Sequence, residues 1–108
     1  MPRRLPRALT RIRTLAAAGR VVVTEKARLE LEDLGLGSRD LLEILGAVSA
    51  ADRPARLRSG PSQQWLYVLR PTMAGLRLYL KVAIRQHCVV ISCHEDEAEI
   101  PEDADRER

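Results

Sequence analysis

The segment from Trp65 to His94 constrains the fold more than any other part of the chain. It contains three strand-like runs in succession, WLYVLRP, GLRLYLKVAIR and HCVVISCH, with turn signals between them. The middle run alternates without interruption, which predicts an extended strand with two chemically different faces. One face carries Leu76, Leu78, Leu80, Val82 and Ile84, and the other carries Arg77, Tyr79, Lys81, Ala83 and Arg85. The pattern therefore predicts an antiparallel meander with one face in the core and a tyrosine between cations on the other, an arrangement suited to phosphate.

The length of 108 residues predicts one domain with a core of modest size. That core must be aliphatic, because the chain lacks Phe and its aromatic residues are Trp65, Tyr67 and Tyr79. No apolar run approaches the roughly 20 residues of a membrane span, and no signal-peptide segment follows the basic N-terminus. We expect a cytoplasmic protein with no membrane partner, a single domain over residues 1–96 and an acidic, disordered tail over residues 97–108.

The formal net charge of +3 hides an uneven distribution of charge. The segment from Glu95 to Arg108 carries a net charge of −6, which leaves +9 for residues 1–94. Sixteen of the 18 basic residues are Arg, whose planar guanidinium matches phosphate geometry. This composition indicates a polyanionic partner, and a genomic bias toward Arg is the alternative explanation. The tail either shields the basic surface or keeps the chain soluble.

Helical spacing of apolar residues predicts a first helix over residues 6–18, which Gly19 ends. Its cationic side is interpreted either as a surface for nucleic acid or an antagonist, or as a solvated helix face. Val21–Val23 is expected to form a strand or an extended link. Thr24 and Ser38 are expected to cap a second and a third helix, and we interpret these two helices as purely structural.

The segment Asp52–Ser62 is expected to contain a short strand, Ala55–Arg58, that leads into a loop. Its arginines could clamp a phosphate, and the alternative is a solvated connection. Further along, Cys88 and Cys93 are five residues apart on one predicted strand, so we expect them on opposite faces. Neither a disulfide nor a metal site is expected from them, and buried thiols that pack as small apolar groups are the favoured interpretation.

Register decides which residues of the last run lie beside Tyr79. One face of that run carries Ser92 and His94, and the other carries His87, Val89, Ile91 and Cys93. The more apolar set is expected to face the core. This places Ser92 and His94 beside Tyr79 and Lys81 on the opposite face.

This set of side chains is suited to RNA cleavage without a metal. The ribose 2′-OH would be the nucleophile, and the protein would supply a general base, a general acid and cations for the developing charge. His94 is suited to acid–base work, Tyr79 to orienting phosphate or exchanging a proton, and Lys81, Arg77 and Arg56 to stabilising charge.

Trp65 or Tyr67 would stack on a base. The alternatives are a Trp65 that anchors the core and a His94 that is an ordinary surface residue. The chain has no phosphate-binding glycine loop, no HExxH pair and no GxSxG motif, so nucleotide-hydrolysing, zinc-protease and serine-hydrolase classes are not indicated.

A series of short motifs follows one order along the chain: GRVVVTxxA, LGL, WxxVxRP, LYLK and VVISxHED. Together they resemble the MqsR family of type II toxin–antitoxin toxins, from about Leu9 to Asp96. The resemblance implies an α+β, RelE-like fold: a twisted, mainly antiparallel sheet with about three helices packed on one face. It also implies a ribosome-independent mRNA interferase that cuts single-stranded mRNA and is neutralised by a cognate antitoxin.

The family's functional tyrosine corresponds to Tyr79, and the lysine of the same motif corresponds to Lys81. Three positions depart from the family pattern. Leu66 stands where well-studied members have a functional Gln after the Trp. The family's DFYKS segment, with a functional Lys, matches residues 52–56, so Arg56 or Arg58 would have to serve. His94 stands where a functional Lys is found.

The predicted catalytic residues are therefore Tyr79, Lys81, His94 and Arg56. The predicted RNA-binding residues are Arg58, Arg70, Arg77, Gln64 and Trp65. No cofactor or metal is expected, and the expected partners are an mRNA substrate and a cognate antitoxin in a hetero-oligomer. A non-catalytic module that binds RNA or protein through the same sheet is the alternative function.

Overall fold

The structure is a computed structural model, and it describes residues 4–60 and 62–96. The tail predicted over residues 97–108 lies outside the described residues. Three α-helices come first, α1 (Arg4–Ala17), α2 (Glu25–Asp33) and α3 (Ser38–Gly46), and strand β1 (Val21–Val23) lies between α1 and α2. A 3-10 turn (Ala50–Asp52) precedes β2 (Ala55–Arg58), β3 (Trp65–Leu69), β4 (Thr72–Met73), β5 (Leu76–Ile84) and β6 (Cys88–Glu95). The predicted α+β class is confirmed.

The helices form where the sequence provides their caps and apolar stripes. α1 buries Leu9, Ile12 and Leu15, and the chain then turns at Gly19, whose φ of +72° suits glycine. Thr24 caps α2 as predicted, because its side chain accepts a hydrogen bond from the Ala27 amide at 3.1 Å.

The prediction that Ser38 caps α3 was wrong. Gly37 is the cap residue, and its amide donates to Asp40 Oδ2 at 2.9 Å. Ser38 is instead the first helical residue. None of the helices in the described part of the chain is long and apolar enough to cross a membrane.

The strands form one sheet in the order β1-β6-β5-β3-β2, and β4 pairs with β5. Among the described strands, β1 and β6 pair in parallel and the other pairs are antiparallel. The apolar residues of β5 pack with the helices in one aliphatic core. We call the sheet face that meets this core the helix face and the opposite one the open face.

A register shift in β6 changes two expectations from the sequence. Lys81 pairs with Ser92 and its neighbour Val82 pairs with Val90, so Ile91 is an extra residue in β6. Cys88 and Cys93 consequently both lie in the core, and the prediction that they occupy opposite faces was wrong. The prediction of buried thiols was right.

Candidate functional site

The open face brings together the residues at the centre of the predicted site. Tyr79 pairs with His94 across β5 and β6, and Lys81 pairs with Ser92. This confirms the predicted placement of Ser92 and His94 beside Tyr79 and Lys81. The expectation that Val89, Ile91 and Cys93 face the core together was wrong, because the extra residue at Ile91 leaves Val89 opposite Ala83 while Cys93 lies in the core. Directly opposed residues of neighbouring strands lie on one face with adjacent side chains. Three groups capable of proton transfer or charge stabilisation therefore share one small area of the sheet.

Tyr79 and His94 form a stacked pair. Their ring centroids are 4.9 Å apart and their planes differ by 10°, an arrangement favourable to aromatic rings. His94 Nδ1 lies 3.2 Å from the Glu95 carbonyl oxygen. A carbonyl only accepts, so Nδ1 is the donor in this bond, and in the neutral ring Nε2 is left as the proton acceptor. His94 is exposed, so Nε2 is accessible to a substrate.

A second ring contact comes from Arg70, whose guanidinium carbon lies 5.1 Å from the Tyr79 ring centroid. Arg70 is held in turn by Asp96, at 2.9 Å between Nη1 and Oδ1. The Asp96 side chain is only 3% exposed, and Arg53 approaches its second oxygen at 3.7 Å. The backbone carbonyl of Arg77 accepts a hydrogen bond from the Asp96 amide at 2.7 Å. Arg77 is two residues before Tyr79 in β5, so it lies on the same face.

Helix α2 also contributes to this region, although its sequence indicated only a structural helix. Lys26 Nζ donates to Ser92 Oγ at 3.2 Å and to Glu30 Oε2 at 2.8 Å. The other Glu30 oxygen accepts from the Cys93 amide at 2.8 Å. Burial favours a higher pKa for Glu30, but hydrogen bonds from Lys26 and Cys93 and the charges of Lys26 and His94 leave its pKa lowered. No local sequence signal could have linked Lys26 to Ser92, 66 residues away.

The structure does not place Arg56 with Tyr79. Arg56 pairs with Tyr67, and Arg58 pairs with Trp65. Because Tyr67 packs against the core, these four residues point to the helix face. In the stretch that matches the family's DFYKS segment, Ala55 occupies the open face, opposite Val68.

The remaining predicted residues divide between the two faces. Leu66 lies on the open face beside Leu57, where it contributes no polar group. Gln64 lies just before β3, and its Oε1 accepts a hydrogen bond from Arg85 at 2.9 Å. Of the nine predicted site residues, five lie on the open face: Tyr79, Lys81, His94, Arg70 and Arg77. Three lie on the helix face, Arg56, Arg58 and Trp65, and Gln64 precedes β3.

The two cysteines take no part in either group. Burial raises the pKa of Cys88 to about 12. Burial and then the charge of Glu30 raise the pKa of Cys93 to about 11. Across residues 4–60 and 62–96, no cluster of three or more His, Cys, Asp or Glu side chains is arranged to hold a metal ion.

Comparison with known proteins agrees with the order of motifs. A family model described as "Motility quorum-sensing regulator, toxin of MqsA" matches residues 6–95, which is most of the chain. No curated protein sequence matches it. The matched region begins in α1 and ends with β6, so it includes the whole sheet.

Proposed function

Because this chain belongs to the MqsR family of toxins from toxin–antitoxin systems, we propose that it is an endoribonuclease that cleaves single-stranded mRNA without a metal. The observation that carries the proposal is the Tyr79–His94 stack beside Lys81 on the open face. The family implies a cognate antitoxin as partner, and both would meet in the cytoplasm.

The first half of the reaction falls to His94. Its Nε2 takes the proton of the ribose 2′-OH, and the 2′-oxygen attacks the adjacent phosphorus. The hydrogen bond from Nδ1 to the Glu95 carbonyl holds the ring with Nε2 facing outward, and stacking on Tyr79 restricts its rotation. General base catalysis of this kind contributes roughly 10²- to 10⁴-fold.

The second half of the reaction needs a proton for the leaving oxygen. The Tyr79 hydroxyl donates it to the 5′-oxygen as the phosphorus–oxygen bond breaks, which leaves a 2′,3′-cyclic phosphate and a 5′-hydroxyl. The tyrosinate then regains a proton from the His94 imidazolium through water, and the site returns to its starting state. The Arg70 guanidinium carbon lies 5.1 Å from the Tyr79 ring centroid, and this cation–π contact holds the ring in position.

Lys81 supplies charge stabilisation for the phosphorane. It lies two residues from Tyr79 on the same face of β5, and its partner across the sheet is the small Ser92, which leaves room for a phosphate. Lys26 approaches the same position from α2 and already donates to Ser92. Preorganised cations aimed at developing charge provide a large share of catalysis in sites of this type.

The test is cleavage of a single-stranded RNA in EDTA by the wild type, Tyr79→Phe and His94→Ala, with product ends identified. We expect cyclic phosphate ends from the wild type and a loss of roughly 10²-fold or more in His94→Ala. His87→Ala is the matched control, since it removes the chain's other histidine from the turn before β6. Cleavage that requires a metal contradicts this mechanism, and RNA binding without cleavage or growth arrest favours the non-catalytic module.

A further inference from the structure

The helix face carries a second cluster of cations around Trp65, remote from the Tyr79–His94 stack. The guanidinium carbons of Arg56 and Arg58 lie 3.5 Å and 4.3 Å from the Trp65 ring centroid. The ring borders a cleft of ≈ 500 Å³ between the start of α1 and the ends of β3 and β5. We call it the Trp65 cleft, and its lining includes Arg4, Arg7, Gln64, Trp65 and Tyr67.

The positive charge of the Trp65 cleft is not neutralised within the described chain. The ion pairs of residues 4–60 and 62–96 involve Lys26, Arg28, Arg53 and Arg70, and none involves an arginine of this cleft. α1 has no acidic residue in its first turn, although acidic residues are the ones that stabilise a helix start. Arg4, Arg7, Arg56 and Arg58 thus form a group of like charges around one exposed ring, and such a group attracts a polyanion.

The aromatic ring distinguishes between kinds of polyanion. Trp65 remains 39% exposed, so part of its ring is accessible to a ligand. Arg56 and Arg58 lie over the ring, so a base would stack where the ring lines the cleft. An aromatic ring with phosphates on nearby arginines is the way proteins hold single-stranded nucleic acid. An acidic peptide would use the arginines and leave the ring without a partner.

We infer that the Trp65 cleft is a second RNA-binding site, which holds single-stranded RNA outside the bond that is cleaved. The inference deepens the proposed function and rests on RNA being the substrate. Trp65 lies five positions before Arg70 in sequence, roughly 17 Å along the strand direction at about 3.4 Å per residue, and on the opposite sheet face. A single nucleotide at the Tyr79–His94 stack therefore does not reach the Trp65 cleft, and a longer RNA that passes the sheet edge can.

Trp65 itself provides the first readout, because it is the only tryptophan in the chain. The probe is a single-stranded RNA of about 15 nucleotides with 2′-O-methyl groups, which removes the nucleophile and is long enough for typical single-strand sites. We expect saturable quenching of tryptophan fluorescence in the wild type and in Tyr79→Phe. Binding detected by anisotropy without any change in fluorescence would overturn the inference. Quenching by polyglutamate but not by RNA would also overturn it, in favour of an acidic protein partner.

The second readout is the salt dependence of affinity. Each phosphate contact that is lost lowers the slope of log K against log salt by about 0.7 for a single strand. Arg4→Ala/Arg7→Ala is expected to lower the slope, and Arg20→Ala/Arg39→Ala removes the same charge outside the cleft as a matched control. Equal slopes in the two double variants would contradict the inference.

Replacement of the ring gives an independent measure. Trp65→Leu is expected to weaken binding of the long RNA between about 5-fold and 100-fold, and Trp65→Phe to recover part of it through stacking. Circular dichroism identifies any variant that fails to fold. If the Trp65 variants do not fold, the salt dependence of the arginine variants tests the inference instead. If the wild type cleaves RNA and these variants bind as it does, the inference fails and the proposed function stands. If the wild type binds through Trp65 without cleaving, the proposed function fails alone.

Discussion

Glu30 of α2 accepts a hydrogen bond from the backbone amide of Cys93 in β6, at 2.8 Å. β1 pairs with Val90 and the two residues before it, so the rest of this edge of β6 has no strand partner among residues 4–60 and 62–96. α2 covers the edge, and the Glu30 carboxylate satisfies an amide that a strand would otherwise bond. The same carboxylate holds Lys26 near Ser92.

Glu30→Ala is expected to lower the free energy of unfolding by roughly 1.5–3 kcal/mol, the usual contribution of a hydrogen bond to a charged group. Urea denaturation of the wild type and the variant measures it. Glu32→Ala is the matched control, because Glu32 is 61% exposed and pairs only with Arg28, so its effect should be small. Equal losses in the two variants would contradict an edge-capping role for Glu30.

The same bond predicts a pH dependence of stability. The pKa of Glu30 is lowered from 4.5 in the folded state, so the folded protein binds this proton less tightly than the unfolded chain. The contribution of Glu30 is therefore complete above about pH 4.5 and is lost as pH falls through the lowered folded value. The difference in unfolding free energy between wild type and Glu30→Gln should shrink over that range, and a difference that grows on acidification would refute it.

Asp96→Asn is expected to lower the free energy of unfolding by roughly 2 kcal/mol. That is less than the 3–5 kcal/mol for breaking a fully buried pair, because Arg70 is 28% exposed. The variant also frees Arg70 to move away from the Tyr79 ring. We therefore expect a lower rate of RNA cleavage at a temperature at which the variant is still folded. Glu95→Gln is the control, because Glu95 is the neighbouring residue and is exposed. Its free energy of unfolding should stay within about 0.5 kcal/mol of that of the wild type.

Leu66→Gln is expected to raise kcat/KM for single-stranded RNA, by about tenfold if the amide makes one new transition-state hydrogen bond. Leu66 lies on the open face, where this chain lacks the amide that the resemblance to the MqsR family places after the tryptophan. Leu57→Gln adds the same amide on the neighbouring strand as a control. A rate increase from both substitutions alike would indicate a general effect of polarity on the sheet.

The thiols of Cys88 and Cys93 are expected to resist modification in the folded state. Both are buried in the core, and their raised pKa values of about 12 and about 11 leave almost no thiolate near neutral pH. A chromogenic disulfide reagent at pH 8 should react with neither thiol in the native protein and with both in urea. A rapid reaction of one native thiol would disprove this placement of β6.

Much of the fold follows from patterns that act over a few residues. The alternation of Leu76–Ile84 settles which side of β5 meets the core, and the Thr24 cap and Gly19 turn settle helix ends. These features depend on local periodicity and on turn chemistry. Ser92 and His94 were also expected beside Tyr79 and Lys81, and they lie there, but the extra residue at Ile91 interrupts the alternation on which that expectation rested.

The placement of the site's cationic residues on two different sheet faces depends on strand pairing, which the sequence does not show. Strand alternation puts Arg56 and Tyr79 on defined faces of their own strands, but only the pairing of β2 with β3 sets those faces against each other. The extra residue at Ile91 likewise reverses the face of Cys88 relative to Cys93, and nothing in the local sequence marks it. Period and propensity are local, so they predicted β2, β3, β5 and β6 and the chemistry available, but they did not predict β4. The register, the bulge and the approach of Lys26 to Ser92 join residues far apart in the chain, and only the packed structure fixes them.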